Sequence, residues 1–309
     1  MTEEIYKRYR PLRWSDVKGQ PEACKFLEAK VKAGTVPHAI LLTGPSGTGK
    51  TTLARILRTE LKCGEADFTE INAADFRGID MVREIRTRMG LAPMFGKCRI
   101  WLIDEAHALS KDAQSALLKM LEDTPKHVYF MLATTDPGKL LKTITNRCTE
   151  VGCKALKSGT MTELIKDVAS KEKVKLSKDV IERLVEVADG SARKALVITD
   201  HILALDDEDE QLNTIADSDS KRQAIELCRA LLNPRCAWAD VVPILKGTEG
   251  EDVESLRHMV LGYATACMGS GNKGIHARSY LILTAFRDNF FDSKRSGLYA
   301  ACYEVIQGA

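Results

Sequence analysis

The clearest chemistry lies in one consecutive stretch, Gly44-Pro45-Ser46-Gly47-Thr48-Gly49-Lys50-Thr51. It fits the spacing G-x-x-x-x-G-K-[ST] between an apolar run and a helix-like stretch, the context in which that spacing forms a phosphate-binding P-loop. Its glycines let backbone N–H groups turn inward and approach phosphate oxygens closely. The helix that follows presents its positive end to the same anion. Lys50 is expected to reach the β- and γ-phosphates of a nucleotide, and the Thr51 hydroxyl to bind Mg²⁺. Thr52, next in the chain, joins this nucleotide-binding set.

A second motif, Ile100-Trp101-Leu102-Ile103-Asp104-Glu105, is an apolar strand that delivers two carboxylates to its C-terminal end. In a parallel sheet that end lies beside the P-loop. Asp104 is expected to hold the magnesium and Glu105 to orient and polarise an attacking water. With Ala106 and His107 the acids spell a label of one helicase superfamily, but those helicases need two tandem motor domains and this chain has a single P-loop. The third motif, Ala133-Thr134-Thr135-Asp136-Pro137, closes another strand. Thr135 is the favoured contact for the γ-phosphate or the lytic water, with Thr134 as the alternative. Two arginines, Arg147 and Arg193, remain as candidates to meet the charge that spreads over a loose phosphoryl-transfer transition state. Arg193 stands at a helix start from which it could close over the nucleotide. Arg147 could act in its own site or in a neighbour's.

These side chains need a scaffold. Apolar runs at 39–42, 68–72, 99–104, 128–134 and 148–153 read as strands, separated by helical patterns at 50–62, 79–89 and 111–122. Strands alternating with helices imply an α/β fold, a parallel sheet covered on both faces. After about Ala155 the pattern is helical at 161–171, 177–188 and 191–205. Asp206-Asp207-Glu208-Asp209-Glu210 reads as a solvated linker, and from Lys221 on the chain reads as helical again, broken at Pro234, Pro243 and Gly269-Ser270-Gly271. The expected domains are 1–155, an α/β P-loop domain; 156–206, a small helical domain; and 207–309, a terminal all-helical domain.

With 45 basic and 43 acidic residues the net charge is +2, so no whole-surface basic field exists and nucleic-acid contact would need a local patch. Nine cysteines occur without a two-residue spacing. Residues 1–10 are charged and no apolar run approaches the ~20 residues that span a bilayer. A reduced, cytoplasmic protein with free thiols is expected, with no membrane partner.

Together these residues resemble the AAA+ ATPase subunits of sliding-clamp loaders, both the bacterial DNA polymerase III gamma type and the small subunits of replication factor C. The likeness covers about residues 4–205. Tyr9-Arg10-Pro11, Trp14-Ser15-Asp16-Val17 and Gly19-Gln20 look like the family's adenine-binding segment. "LLKMLEDTP" and "FMLATTDPGKLLKTITNRC" look like the gamma pattern, and "INAADFRGIDMVREI" like that of replication factor C. The mixture suggests a divergent lineage of the bacteriophage kind, working in a bacterial or phage-infected host cytoplasm.

The resemblance implies an ATPase with ATP and Mg²⁺ that opens a clamp and places it on primer–template DNA, hydrolysing ATP at the interfaces of a five-membered spiral, with 156–206 as its helical lid domain and 207–309 as its oligomerisation collar. It puts Arg147 at the trans-acting arginine finger, with Asn146 where the family has serine. It puts Arg193 at the second sensor, Thr135 at the first, and Tyr6, Arg10, Val17 and Lys18 around adenine and ribose. DNA would face Arg77, Arg83, Ser110 and Lys111, and the clamp Met89, Leu91, Met94 and Phe95. Of the gamma type's four-cysteine zinc module only Cys63 has a counterpart, so no zinc is expected. Two other classes fit the motifs: a branch-migration type of AAA+ motor, and a non-catalytic structural subunit.

Overall fold

The computed structural model describes residues 3–75, 79–248, 252–269, 275–290 and 292–308. The chain forms two compact units, Met1–Asp206 and Asp207–Ala309. The first begins with α1 (Ile5–Arg8) and α2 (Pro21–Lys32), followed by β1 (Ala39–Thr43), α3 (Lys50–Glu60), β2 (Phe68–Asn72), α4 (Ile79–Met89) and β3 (Arg99–Asp104). It continues through α5 (Lys111–Glu122), β4 (Val128–Thr134), α6 (Lys142–Thr145) and β5 (Thr149–Gly152).

The five strands form one parallel sheet in the order β2-β3-β4-β1-β5. β1, β3 and β4 read as near-continuous apolar runs because both faces of the sheet are covered. Alternate residues serve two cores. Leu41, Trp101, Ile103 and Phe130 pack with Val82, Ile85 and Leu117 on one face. Ile40, Leu42, Ile100, Leu102 and Met131 pack with Leu53 and Leu57 on the other. In register, Thr43 pairs with Thr134 and Asn72 with Asp104, so the chemistry-bearing strand ends share one edge.

The same unit closes with α7 (Ser158–Lys171), α8 (Lys178–Ala188) and α9 (Ala192–Ile202). Serine starts two of them: the Ser177 and Ser191 side chains accept from Val180 N and Lys194 N at 3.2 and 3.3 Å. Helix α1 is anchored here, with Ile5 buried against Val168 and Leu196, and Ile5 N donating to Asp200 Oδ2 at 3.3 Å.

The second unit is helical: α10 (Glu208–Leu232), α11 (Trp238–Gly247), α12 (Val253–Met268), α13 (His276–Ala285) and α14 (Lys294–Gln307). Two expectations change. The acidic run is a helix start rather than a loop. The Asp207 carboxylate accepts from Glu210 N at 3.0 Å, and Glu208, Asp209 and Glu210 occupy the positive first turn of α10. Pro243 lies inside α11 and does not end it, whereas Pro234 falls in the turn before it. Gly269 caps α12, and Ser270 and Gly271 lie outside the described residues. Among the described residues no helix is long and apolar enough to cross a membrane.

Three arginines tie this bundle together by donating to the carbonyls that helix C-termini leave unpaired. Arg257 reaches Phe286 O and Arg287 O at 3.1 and 3.3 Å, beyond α13. Arg295 reaches Leu245 O and Thr248 O, both at 2.8 Å, at the end of α11. Arg278 joins two helices at once, through Val305 O at 2.7 Å and Asn233 O at 3.2 Å. Arg278 is 6% exposed, so its loss strands two acceptors out of water. Arg278→Met is expected to destabilise the full chain by about 2 kcal/mol in urea unfolding, and Arg278→Lys, which can reach one carbonyl, by about half of that. Equal stability of Arg278→Met and wild type would remove this bridge from the account.

Candidate active site

The P-loop is shaped by close approaches that only glycine permits. Gly44 has φ +137°, and a Cβ there would stand 2.1 Å from Cys153 O. Gly47 has φ +73°, and its Cβ would meet Ser191 Oγ at 2.1 Å. The loop folds back over Lys50, whose Nζ donates to Gly44 O at 2.7 Å and Pro45 O at 2.8 Å. Burial lowers the Lys50 pKa, against the opposing pull of Glu105 and Asp104, and the charge of Arg193 lowers it further. A desolvated ammonium in this state gains when an anion arrives. Gln20, 3% exposed, fixes the loop from behind. Its Nε2 donates to Thr48 O at 3.1 Å and Lys154 O at 2.6 Å, and its Oε1 accepts from Lys154 N at 2.9 Å. Sequence reading placed Gln20 in a motif and missed this clamp, because its partners lie 28 and 134 residues away.

The acidic pair stands against the start of α3. Thr51 Oγ1 donates to Asp104 Oδ2 at 2.9 Å, and Asp104 Oδ1 accepts from Glu105 N at 2.9 Å. A hydroxyl and a carboxylate facing the cavity are hard oxygens of the kind Mg²⁺ takes, so these residues fit that ion. Glu105 adopts the left-handed region at φ 50° and ψ 42°. Thr135 Oγ1 lies 3.5 Å from Glu105 Oε2, whereas Thr134 is fully buried and its oxygen accepts from Asp136 N at 3.1 Å. Of the two threonines, Thr135 is the one beside the catalytic candidate.

A cavity of about 570 Å³ joins the pieces. Its wall includes Tyr6, Arg10, Val17 and Lys18 from the N-terminal segment, Ser46 to Thr52, Asp104, Glu105, and Arg193 from α9. Arg193 N donates to Gly47 O at 3.3 Å, and its guanidinium stands 5.9 Å from the centre of the Tyr6 ring. Burial holds Arg10 below its ordinary pKa, with Arg55 and Arg193 repelling it and Glu70 opposing them. Arg10, Lys50 and Arg193 thus crowd positive charge into one partly desolvated space, an arrangement suited to a polyphosphate.

Other candidates lie elsewhere. Arg147 is absent from the cavity wall; its Nη1 donates to Thr143 O at 3.0 Å and its Nη2 pairs with Glu122. Ser110 caps α5, its hydroxyl accepting from Ala113 N at 3.2 Å, with Lys111 next to it at the helix start and Arg83 on α4. Arg77 lies outside the described residues.

In the apolar loop after α4, Leu91, Met94 and Phe95 are 58%, 68% and 79% exposed. Met89 departs from that set. It is 7% exposed and packs in the core with Val82 and Trp101, which corrects its assignment to a contact surface. The loop is strapped by a buried ion pair that sequence reading missed. Arg99 Nη2 lies 3.1 Å from Asp67 Oδ1, Asp67 accepts from Met94 N and Phe95 N, and Arg99 Nη1 donates to Arg88 O at 2.7 Å. Burial alone would raise the Asp67 pKa; the two backbone N–H groups and Arg99 overcome it and hold the carboxyl below its usual range.

The family model described as "DNA polymerase III, delta subunit" matches residues 19–157. The DNA polymerase III subunit gamma/tau of Mycobacterium tuberculosis strain H37Rv is 33% identical over 223 residues, 65% of this chain and 39% of that protein. The tau subunit of Escherichia coli K12 is 33% identical over 224 residues, 66% of this chain and 35% of that protein. The chain thus spans little more than a third of the length of these relatives. Among solved structures, a point mutant of Thermotoga maritima RuvB is 24% identical with a TM-score of 0.57, covering 71% of this chain and 79% of that one. The RuvB Holliday junction branch migration motor of the same organism is 20% identical with a TM-score of 0.52, covering 97% of this chain and 91% of that one. The structural likeness is one of fold, an AAA+ P-loop fold. The sequence matches go further: over the region they cover, this chain is similar to DNA polymerase III subunits.

Proposed function

We propose that the chain is an ATP-hydrolysing subunit of a sliding-clamp loader, opening a clamp and placing it on primer–template DNA. One observation carries the interfacial part of this reading: the candidate finger, Arg147, has a partly exposed side chain and is absent from the cavity wall. Arg147 therefore serves an adjacent subunit, and the assembly is a ring or spiral, a pentamer in its simplest form, joined through residues 207–309. No P-loop residue is lost, which speaks against a purely structural subunit. Likeness to the branch-migration motor is one of fold and does not transfer that protein's task.

Lys50 and the backbone of Gly44 to Thr51 bind the triphosphate, while Tyr6, Arg10, Val17 and Lys18 hold adenine and ribose. Thr51 and Asp104 would hold Mg²⁺, which supplies charge neutralisation at the β- and γ-oxygens. Glu105 orients and polarises the lytic water, with Thr135 at its side. Arg193 links the helical lid to the nucleotide. Arg83, Ser110 and Lys111, with Arg77, offer phosphate contacts to DNA without base reading. Leu91, Met94 and Phe95 form the clamp anchor, displayed on a backbone that Asp67 and Arg99 already hold.

Four experiments test this. Hydrolysis by the assembled protein should rise steeply only when clamp and primed DNA are both added; stimulation by DNA alone would favour a motor. Lys50→Ala should lose nucleotide binding, and Glu105→Gln should bind ATP normally while turning over at least about a hundredfold more slowly. Arg147→Ala should bind ATP as wild type does but lose about 10³-fold in assembled turnover; full DNA-stimulated activity in that variant would sink the finger assignment. Phe95→Asp, at an exposed position, should weaken clamp binding at least about tenfold with basal hydrolysis unchanged. Unaltered clamp affinity there would redirect the clamp contact to another surface.

A further inference from the structure

His107 has no role in the scheme above, yet it touches the catalytic glutamate. Its Nδ1 lies 3.3 Å from Glu105 Oε2 and 3.1 Å from Thr134 Oγ1. Thr134 is the last residue of β4, fully buried and held by Asp136 N. On the same carboxylate oxygen, Thr135 Oγ1 donates at 3.5 Å. His107 itself is absent from the cavity wall. The imidazole is therefore a bridge from a fixed strand end to the side chain that must aim a water.

Chemistry decides where the proton sits. A bare Nδ1 would set its lone pair against a carboxylate oxygen at 3.3 Å, acceptor facing acceptor. A proton on Nδ1 donates to Thr134 Oγ1 and sets its positive end beside the Glu105 carboxylate, so that both contacts are favourable. Glu105 needs such support. Its left-handed backbone, φ 50°, is a conformation that a non-glycine residue keeps only where its surroundings over-determine it. The main chain is set by Asp104 Oδ1 at Glu105 N, and the side chain by His107 and Thr135.

We infer that His107 is a positioning residue for ATP hydrolysis, its Nδ1–H holding the Glu105 carboxylate in line with the end of β4. The inference rests on the ATPase reading above. Because His107 acts through Glu105 and lies outside the cavity wall, its loss changes the rate of the chemical step and not the affinity for nucleotide.

The test is single-turnover hydrolysis of γ-labelled ATP by the assembled protein with clamp and primed DNA, with nucleotide affinity and melting temperature measured on the same variants. In His107→Ala the rate should fall about tenfold with affinity unchanged, the loss expected from one oriented contact to a charged group. His107→Asn, whose amide N–H can occupy the place of Nδ1–H, should restore most of the rate. His107→Gln, which carries its amide one bond further out, should not. An alanine variant within about twofold of wild type overturns the inference and leaves the ATPase reading standing. So does an asparagine variant no faster than alanine, or a loss of affinity that parallels the loss of rate. A wild-type chain that neither binds nor hydrolyses ATP overturns the ATPase reading itself.

Discussion

The contact between Gly44 and Cys153 is the one on which the rest of the site depends. β1 is buried along its whole length between β4 and β5, and Cys153 N donates to Thr43 O at 2.7 Å just where the strand ends. There a Cβ on Gly44 would press on the Cys153 carbonyl at 2.1 Å. The absence of a side chain lets the loop leave the sheet tightly enough to bend back over Lys50. Any wider exit would part β1 from the continuation of β5 and shift the start of α3, and with it Thr51 relative to Asp104.

The same logic extends into helices α7 to α9. Gly190 has φ +73° and its Cβ would lie 2.6 Å from that of Ala155, while Leu156 N donates to Gly190 O at 2.9 Å. One residue on, Ser191 crowds Gly47, and Arg193 N donates to Gly47 O. A run of near-contacts thus leads from the sheet edge through the start of α9 to the P-loop. Helix α1 is tied to these helices by Ile5 on Asp200 and by the Arg8–Glu172 pair at 2.9 Å. The cavity is walled by these three parts together, and its cations repel each other across it. An anion placed there relieves that repulsion and gives the helices, the loop and the N-terminal segment a common partner, which links binding to the relative position of the parts.

What could be read from sequence follows from how local the signals are. Central strands showed as apolar runs because burial on both faces leaves no polar alternation to hide them. The P-loop and the two acids showed because their chemistry needs fixed spacing along the chain. Gln20, Asp67 with Arg99, and the capping arginines of the second unit did not show, since each meets its partners across tens of residues. The acidic run misled for another reason: acids favour both solvated loops and helix N-termini, and only the Asp207 cap separates the two. Met89 and Leu91 look alike in a single apolar run, and the end of α4 between them sends one to the core and the other to solvent.

Two surface features differ in how they are held, and the difference suits their proposed roles. The apolar loop rests on a pair in which Arg99 is 7% and Asp67 0% exposed. Such a pair adds little net stability, because desolvating two charges offsets their attraction. What it fixes is the backbone geometry of Met94 and Phe95, so a partner meeting these side chains need not order the loop first. Arg147 is held by Glu122 at the surface, where both side chains remain more than a third exposed. An exposed pair of that kind contributes only about 0–1 kcal/mol. A contact surface gains from being rigid in advance, whereas a finger that must leave one carboxylate for a neighbour's phosphate gains from being weakly held.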